Sequence, residues 1–468
     1  MFLSSFYDRL TPKTYSNLCA ASIGIINLIF LMTYEAHLFT VESVIHSVHD
    51  REPEKVGAHD GYYGMAVSNV FYMISTIIVP SLNNYMRCKW LMVLSTASFT
   101  IYFFSFQFLH RYLYFFCCSF MGFGLASFNV GYLGYLTESS TAETLSSNMA
   151  LSWGLSSVSV LVAGMVNFLM ARANSGDDTG TSKYREYSKG EVRIFFAITT
   201  AISVLSLVLY ALLPNKNVDA SISKTCERTK SVKEQISQMT SVLVNKRILI
   251  LAPFYLYCGL FFSLWITIVP TTLQFTMALS KNPYVPMLYG VAFTAGTTTM
   301  CIIIMKLSPR FPNLCGKPLM IMSAVMHLTL FTVVVCVIPE WSTVRHTDEP
   351  SLLIQPSIAP ILVIAFLLGA ADLANNNMRT VISSLVMPTR RQQIFGVSRC
   401  FHGMAASFLF FGAPGLSIYS YVGILTVFLI AATISYIYTC SYLEREEGSE
   451  KKESSTTIQE KGEDLSTI

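Results

Sequence analysis

The chain has 468 residues, of which 52% are hydrophobic and 13% are charged. Soluble domains carry roughly a quarter charged residues, so this chain lacks the charge needed to cover a soluble protein of its length. A fifth of its 60 charged residues, 12, lie in the last 25 positions, residues 444–468, which leaves even less charge for the rest of the chain. The composition therefore excludes a soluble enzyme and indicates an integral membrane protein.

The minor features of the composition exclude several further classes of protein. The net charge of +4 is small, and no run of Lys and Arg is long enough to indicate a nucleic-acid partner. The eleven Cys form no matched CxxC pairs, which favours packing between helices over a disulfide framework. His46, His49 and His59 stand among Asp, Glu and Lys, which favours a solvated loop over a metal site. With no catalytic or phosphate-binding motif either, we expect no enzyme activity, metal or cofactor.

Twelve apolar segments are each long enough to cross a bilayer as a helix, which takes roughly 20 residues. The first follows a short N-terminal stretch, residues 1–14, and has no small-residue cleavage site, so we interpret it as a retained helix. The tail, residues 441–468, has few apolar residues and is predicted to be disordered. The predicted spans are 15–36, 62–81, 89–108, 112–136, 147–171, 192–213, 248–270, 285–305, 317–338, 358–385, 394–414 and 418–440.

The distribution of basic residues predicts the orientation of the chain. With the N-terminus in the cytoplasm, the inner segments hold 20 Lys and Arg and the outer segments hold 9. Because cytoplasmic segments carry the excess of basic residues, both termini are predicted to be cytoplasmic. With Lys89 and Lys317, the first residues of their spans, counted in the inner segments, only Arg193, Arg379 and Arg399 fall within the predicted helices.

The longest inner segment, residues 214–247, divides the spans into six and six. It separates a predicted N-terminal bundle at 15–213 from a C-terminal bundle at 248–440. Val232, Ile236 and Met239 recur within it at helical spacing, so it contains either a short amphipathic helix or a linker on the membrane surface. The fourth and tenth spans share a Leu-Ala-x-x-Asn pattern that ends at Asn129 and Asn377. An all-α membrane protein of two related six-helix bundles has the architecture of the major facilitator superfamily.

Ionisable residues within the spans carry most of the functional information. Each costs on the order of 2.5–3.5 kcal/mol at the centre of a membrane helix, so it normally faces a partner or a wet cavity. Asp372 in the tenth span is the deepest acid by the predicted boundaries, and Arg379 lies seven residues later on nearly the same helix face. Arg399 in the eleventh span is predicted to lie near the level of Arg379, and His402 shares its face.

Two interpretations of these residues remain open. In the first, they line a cavity between the halves together with their polar neighbours: Asp372, Arg399, His402, Asn375 and Asn376. In the second, Asp372 and Arg399 form an interhelical ion pair that fixes helix packing and binds no ligand. A simpler role is open for Arg379, because a long basic side chain near the end of a span can extend to the lipid headgroups and bind nothing else.

Polar residues of the first half have a similar pair of interpretations. Glu35 lies at the predicted outer end of the first span, close to water, where an acid could couple transport to protons. Asn129 in the fourth span is polar enough to line a cavity, as are Asn27 and Asn69. A hydrogen bond between helices is the commoner role of such an Asn.

Several short motifs resemble those of the Unc-ninety-three-like, ion-channel-regulatory family of the major facilitator superfamily. Each motif is short, and the resemblance rests on their order and on their positions relative to the spans. They are Val41-Glu42-Ser43-Val44-Ile45-His46-Ser47-Val48 after the first span, Gly61-Tyr62 and Pro80-Ser81 in the second, Gly134-Tyr135-Leu136-Thr137 in the fourth, Asn148, Trp153 and Gly164 in the fifth, Leu368-Gly369-Ala370-Ala371-Asp372 in the tenth, and Phe395 to Arg399 in the eleventh.

The resemblance implies a non-catalytic regulatory or trafficking partner of membrane proteins, especially of a potassium channel. The alternative is a secondary transporter that moves a small solute by alternating access of the two bundles. The segment Asn83-Asn84-Tyr85-Met86-Arg87-Cys88-Lys89 lacks the gating Asp of proton-coupled sugar and drug carriers, which favours the regulator. The plasma membrane and an endosomal membrane fit the sequence equally.

Overall fold

The structure is a computed structural model that describes residues 11–82, 85–140, 144–173, 186–214, 231–280, 282–307, 316–387 and 390–464. These residues form helices, and the one β-bridge among them joins Thr276 to Thr347. Twelve helices are long and apolar enough to cross a membrane, which confirms the predicted number. These twelve spans are Pro12–Leu38, Asp60–Leu82, Cys88–Phe108, Arg111–Ser139, Ser147–Arg172, Lys189–Leu212, Lys246–Phe275, Val285–Leu307, Lys317–Val337, Ile358–Val386, Gln393–Gly415 and Ile418–Glu446.

Several spans begin with a residue whose side chain accepts a hydrogen bond from a free backbone N–H group, and at the seventh span this residue is Asn245, which accepts from Arg247 at 3.0 Å. The side chain of Thr11 accepts a hydrogen bond from the backbone N–H of Thr14 at 3.3 Å, and Pro12 follows at the first helical position. At the sixth span, Ser188 and Glu191 form a reciprocal capping box. These polar caps mark the points at which the chain enters helices that are apolar along most of their length.

Two spans contain breaks within their length. The fifth consists of the helices Leu145–Ser156 and Ser159–Ala173. The seventh consists of Lys246–Ser263, a π-helical turn at Leu264–Ile268 and Val269–Phe275. Pro270 has no backbone N–H for a bond four residues back, which accounts for a change of helix geometry near this position.

The two halves of the chain meet along two pairs of spans. The second span packs along the eleventh, and the fifth packs along the eighth. At the fifth and eighth spans a Cβ added to Gly164 would lie 2.6 Å from the carbonyl oxygen of Pro286, so the absence of a side chain allows the backbones to approach.

A helix covers one end of the first half, the end predicted to face outward, in a segment for which the sequence predicts a loop. This outer helix, Val41–Arg51, buries Val41, Val44, Ile45 and Val48. These residues recur at spacings of three and four, the pattern of a helix with one buried face. The sequence therefore carries the pattern of a helix within a segment whose polar residues predict a loop.

Hydrogen bonds join the two halves at the end that the outer helix covers. The Tyr62 hydroxyl donates to the Thr343 carbonyl at 2.7 Å, and the Gln274 amide donates to the Phe39 carbonyl at 2.6 Å. Tyr187 donates its hydroxyl proton to the side-chain oxygen of Gln274 at 2.8 Å. The space between the halves is thus closed by direct contacts at this end.

Of the two alternatives for the segment between the halves, the structure has the short helix, at Val232–Leu243. This linker helix packs against the second and the eleventh spans and therefore touches both halves. Gln393 donates a hydrogen bond to Gln238 at 3.1 Å, and Arg390 donates one to Ser241 at 3.0 Å. The linker helix joins the halves at the end opposite the outer helix.

The last helix extends beyond its membrane span. It runs from Ile418 to Asp464, through the segment for which low apolar content predicts disorder. The segment has no Pro and is rich in Glu and Lys, which are good helix formers, so the helix can continue in water. Ion pairs of Glu444 with Lys317 and of Glu446 with Arg247 attach its start to the ninth and seventh spans.

Candidate functional site

A chain of hydrogen bonds runs along one face of the tenth span. Asp372, Asn376 and Arg379 follow at spacings of four and three, so they share this face. The Asn376 amide donates to Asp372 Oδ2 at 2.9 Å, and its side-chain oxygen accepts a hydrogen bond from the Arg379 guanidinium. Asn376 therefore connects the carboxylate with the guanidinium, which form no ion pair with each other among the described residues.

The other oxygen of the carboxylate is held by a residue that sequence reasoning missed. Trp265 Nε1 donates to Asp372 Oδ1 at 3.0 Å. Trp265 lies in the π-helical turn of the seventh span, and its backbone carbonyl accepts a hydrogen bond from the Tyr289 hydroxyl at 2.6 Å. The contact depends on how three spans pack, so the sequence does not reveal it directly. The one weak signal in the sequence is the rarity of Trp, since the chain has only four.

The eleventh span supplies His402 to the same site. His402 is buried, and its Nδ1 lies 3.3 Å from Arg379 Nη1. A guanidinium has no lone pair to offer, so Arg379 donates and Nδ1 accepts. Arg379 is also buried, with 5% of its surface exposed, so it does not extend to the headgroups.

The predicted ion pair between Asp372 and Arg399 is not formed in the described part of the chain. Asp372 accepts hydrogen bonds from Trp265 and Asn376 instead. Arg399 is partly exposed, and it interacts with Asp372 and Arg379 only as a charge at longer range. The interpretation of this helix pair as a simple structural ion pair is therefore wrong, because neutral donors already satisfy the carboxylate.

Asn375 belongs to a different environment from the rest of the predicted cluster. Its amide donates to His327 Nε2 at 3.2 Å, and His327 Nδ1 lies 2.6 Å from the Ser323 carbonyl. His327 therefore carries its proton on Nδ1 and accepts through Nε2. Asn375 precedes Asn376 by one residue, so its side chain lies on a different side of the helix. It packs the tenth span against the ninth and does not line the site of Asp372.

Glu35 lies deeper than the sequence predicts. The first span continues to Leu38 and the outer helix follows, so Glu35 is buried, with 9% of its surface exposed. Its Oε2 has no hydrogen-bond partner among the described residues. This acid is therefore buried within the first span and is not close to water.

Asn129 forms hydrogen bonds within the first half. Its amide donates to the Tyr72 hydroxyl at 3.3 Å and to the Leu125 carbonyl at 3.0 Å. The bond to Tyr72 joins the fourth span to the second, which is the common role of an Asn between membrane helices.

A second polar cluster lies outside the spans, where the outer helix meets the start of the second span. Glu42 is fully buried and accepts from the Tyr62 backbone N–H at 2.8 Å, and its Oε1 lies 3.1 Å from His59 Nδ1. Burial raises the pKa of the Glu42 carboxyl, and the contacts with His59 and Tyr62 oppose this rise. This cluster holds the outer helix in place.

The described residues do not group three His, Cys, Asp or Glu in a way that could hold a metal ion. The outer His46 instead has its Nδ1 3.1 Å from Asp50 Oδ2, within the same helix. The central site consists of hydrogen-bond donors, one satisfied carboxylate and two guanidinium groups. Such an arrangement can bind a polar or charged molecule, and it contains no paired nucleophile and base.

The fold and the central polar site define a multi-pass membrane protein of the major facilitator type. Solved transporter structures share the fold. They include the nucleoside transporter NupG (TM-score 0.59, 12% identity, 90% of this chain and 98% of that one), a mutant of the peptide transporter POT in complex with sulfate (0.62, 10%, 91% and 94%) and a D-xylose-proton symporter (0.59, 12%, 91% and 96%). At these identities the likeness shows the fold alone.

The sequence profile of the family described as ion channel regulatory protein UNC-93 matches residues 52–437. Because the match covers most of the chain, this protein belongs to the UNC-93 family, and the resemblance of its motifs is confirmed. No curated protein matches the chain. The family is a regulatory one, and the structural relatives named above are transporters, so neither comparison indicates an enzyme.

Proposed function

We propose that this protein is a non-catalytic regulatory or trafficking partner of a membrane channel, with a potassium channel as the partner. The match to the ion channel regulatory family over residues 52–437 carries the proposal. The connection between the second and third spans supports it, because residues 83–89 lack the acid that gates proton-coupled carriers of this fold.

Association with a channel is tested by purification from native membranes. The full chain carries a C-terminal tag and is extracted in a mild detergent after cross-linking, with a tagged sugar carrier of the same fold as the control. We expect a pore-forming potassium channel subunit to elute with the chain at a fixed ratio and to be absent from the control. Elution as a monomer, with no channel subunit above the control, would contradict the proposal.

The second candidate function is secondary transport of a small solute. It is favoured by the charged residues between the two halves, since Asp372 and Arg399 are partly exposed within their spans. The fold also permits alternating access, in which the two bundles rock about a site near the midplane. Counterflow of solutes in vesicles that contain only this chain tests it, and flux above that of empty vesicles would support it.

We also propose an orientation and a division of the chain. The excess of Lys and Arg on one side supports cytoplasmic termini, in the plasma membrane or an endosomal membrane. The bundles comprise residues 15–213 and 248–440, joined by residues 214–247. Accessibility of the C-terminal tag to an antibody before and after the membrane is permeabilised tests the orientation, and labelling of intact cells would contradict it.

A further inference from the structure

A cleft opens at one end of the second half, between the start of the seventh span and the last turns of the tenth and twelfth spans. Its volume is about 310 Å³, and its lining includes Lys246, Arg247, Ile250, Val386, Tyr438 and Tyr442. All of these residues lie on spans of the second half, so the cleft is separate from the central polar site and from the space between the halves. The excess of basic residues predicts that this end is cytoplasmic.

The two charged residues of the cleft differ in their partners. The Arg247 guanidinium pairs with Glu446 at 2.5 Å and lies over the ring of Tyr442, at 5.3 Å from the ring centroid. Lys246 is exposed, and it makes neither a hydrogen bond nor an ion pair in the described part of the chain. Because Glu446 offsets the charge of Arg247, the charge of Lys246 remains without a countercharge. The cleft therefore suits a ligand with a single negative charge.

Two tyrosine hydroxyl groups add polar contacts to the cleft. Tyr438 and Tyr442 both line it, one turn apart on the last helix, and neither hydroxyl has a hydrogen-bond partner among the described residues. The oxygens of a phosphate accept hydrogen bonds from hydroxyl and ammonium groups alike. Tyr is also typical of the boundary between membrane and water, where its ring contacts lipid and its hydroxyl contacts the headgroups. The polar side chains of the cleft thus match a phosphate at the membrane surface.

An apolar surface leads from the cleft along the membrane span. Ile430 and Ile434 precede Tyr438 and Tyr442 at spacings of four, so the four residues form one face of the last helix, and each of them is exposed. This face extends for about 18 Å along the helix axis, more than half of the hydrocarbon core of about 30 Å. A soluble anion makes no contact with such a surface, whereas the acyl chains of a lipid whose phosphate occupies the cleft would cover it.

We propose that the cleft binds the headgroup of an anionic phospholipid that carries a single phosphodiester, with Lys246 as the main contact of the phosphate. Arg247 and the two tyrosines complete the polar contacts, and the acyl chains lie along the exposed face of the last helix. Anionic phospholipids are concentrated in the cytoplasmic leaflet, which agrees with the orientation predicted for this end. The site goes beyond the proposed function, since its occupation depends neither on regulation of a channel nor on transport of a solute.

Melting of the purified full chain in a mild detergent tests this site. The probes are dioctanoyl phosphatidylglycerol, dioctanoyl phosphatidylcholine and sodium glycerol phosphate, at constant ionic strength. We expect phosphatidylglycerol to raise the melting temperature by several degrees. Phosphatidylcholine has the same chains without the net charge, and glycerol phosphate has the charge without the chains, so neither should give this rise. The dependence of the melting temperature on lipid concentration gives the dissociation constant.

The variant Lys246→Gln separates this cleft from a general attraction of anionic lipid to a basic surface. Its dissociation constant for phosphatidylglycerol should rise about fivefold, the contribution of one basic residue near an anionic lipid. Lys306→Gln is the matched control and should bind as the wild type does. Lys306 is an exposed lysine in the last turn of the eighth span, at the same end of the molecule, and it does not line the cleft. Tyr442→Phe keeps the ring beside Arg247 and is the second variant, with a rise of about threefold for the lost hydroxyl.

The proposal is overturned if phosphatidylglycerol does not stabilise the wild-type chain, or if phosphatidylcholine stabilises it equally. A full rise with glycerol phosphate alone would also overturn it, because the ligand would then be a soluble anion. Binding of phosphatidylglycerol to Lys246→Gln as tightly as to the wild type would do the same, as would equal losses in Lys246→Gln and Lys306→Gln. If Lys246→Gln does not fold, unchanged binding in Tyr442→Phe overturns the proposal in its place.

Discussion

At the scale of single residues, the acid in the tenth span is held by neutral donors from two helices. The indole N–H of Trp265 donates to one oxygen of Asp372, and the amide of Asn376 donates to the other. Hydrogen bonds to a charged group contribute about 1.5–3 kcal/mol each. They compensate for the water that the carboxylate loses within the membrane.

Replacement of Trp265 by Phe tests the importance of the indole donor. The variant keeps an aromatic ring beside Phe293, whose centroid lies 4.6 Å from that of Trp265, and it removes the N–H. We expect the free energy of unfolding to fall by about 2 kcal/mol, measured as a lower melting temperature. Trp153→Phe is the control, since Trp153 is 44% exposed in the fifth span and should tolerate the change. Equal melting temperatures of the two variants would show that the donor contributes nothing.

The connection between the ninth and tenth spans contains an imidazole that should make the protein sensitive to acid. The pKa of His346 is lowered to about 4, chiefly by burial and then by the charge of His46, while the charge of Asp50 opposes the decrease. The unfolded chain binds this proton near the usual pKa of about 6.5, so the folded chain binds it less readily. The stability that neutral His346 contributes is therefore complete above pH 6.5 and is lost as the pH falls towards 4.

Melting curves at pH 7 and pH 5 test this expectation. Acidification from pH 7 to pH 5 should cost less than about 2 kcal/mol through this residue, because solvent screens a partly exposed imidazole, and His346→Gln should melt with a smaller difference between the two pH values. His110→Gln, a change of an exposed histidine, is the control and should keep the difference of the wild type. An unchanged difference in His346→Gln would contradict the role of this side chain.

The sequence predicted part of the central site from helical spacing alone. Asp372 and Arg379 are seven residues apart on one helix, so their common face follows from helix geometry. The sequence could not predict that Trp265, more than a hundred residues earlier, would contact the Asp372 carboxylate in place of Arg399. Pairing between spans depends on the rotation of each helix, and here a π-helical turn alters that rotation locally.

At the scale of elements, the eighth and tenth spans approach each other through two reciprocal glycines. A Cβ added to Gly296 would overlap the Phe366 carbonyl oxygen, and one added to Gly369 would overlap the Phe293 carbonyl oxygen. In each case a side chain would meet the backbone of the other helix. Contacts this close require small residues on both helices.

Gly296→Ala should therefore force the eighth and tenth spans apart. We expect a loss of about 1–3 kcal/mol in stability, seen as a lower melting temperature, because the overlapping group is backbone and cannot rotate away. Gly423→Ala is the matched control, since nothing lies within 4 Å of a Cβ added there. Ala is the better helix former, so this control should melt at the same or a higher temperature. A harmless Gly296→Ala would contradict the close approach of the two spans.

The spans were predictable because each needs one continuous apolar run, which a sequence displays directly. The outer helix was not recognised, although Val41, Val44, Ile45 and Val48 carry its pattern, because its remaining residues are polar. The helical extension to Asp464 was also unexpected. Low apolar content argues against a packed core, and it says little about a helix that is attached by ion pairs at its start.

At the scale of the whole molecule, the two candidate functions differ in what they require of Asp372. If the chain transports a solute, Asp372→Asn should abolish flux into vesicles, by about tenfold or more, while folding and delivery to the membrane remain normal. If the residue only holds the helices together, the variant should fail in folding or delivery. Fluorescence-detected size exclusion separates these outcomes, with Asp348→Asn, a change in the exposed outer loop, as the control.

The central claim is that this member of the UNC-93 family regulates a channel. The most direct test is the whole-cell potassium conductance of cells that naturally produce the chain, measured before and after its removal. Regulation predicts that removal changes the conductance severalfold and that the wild-type chain restores it. An unchanged conductance, in cells that lose uptake of a small solute when the chain is removed, would contradict this claim and favour the transporter.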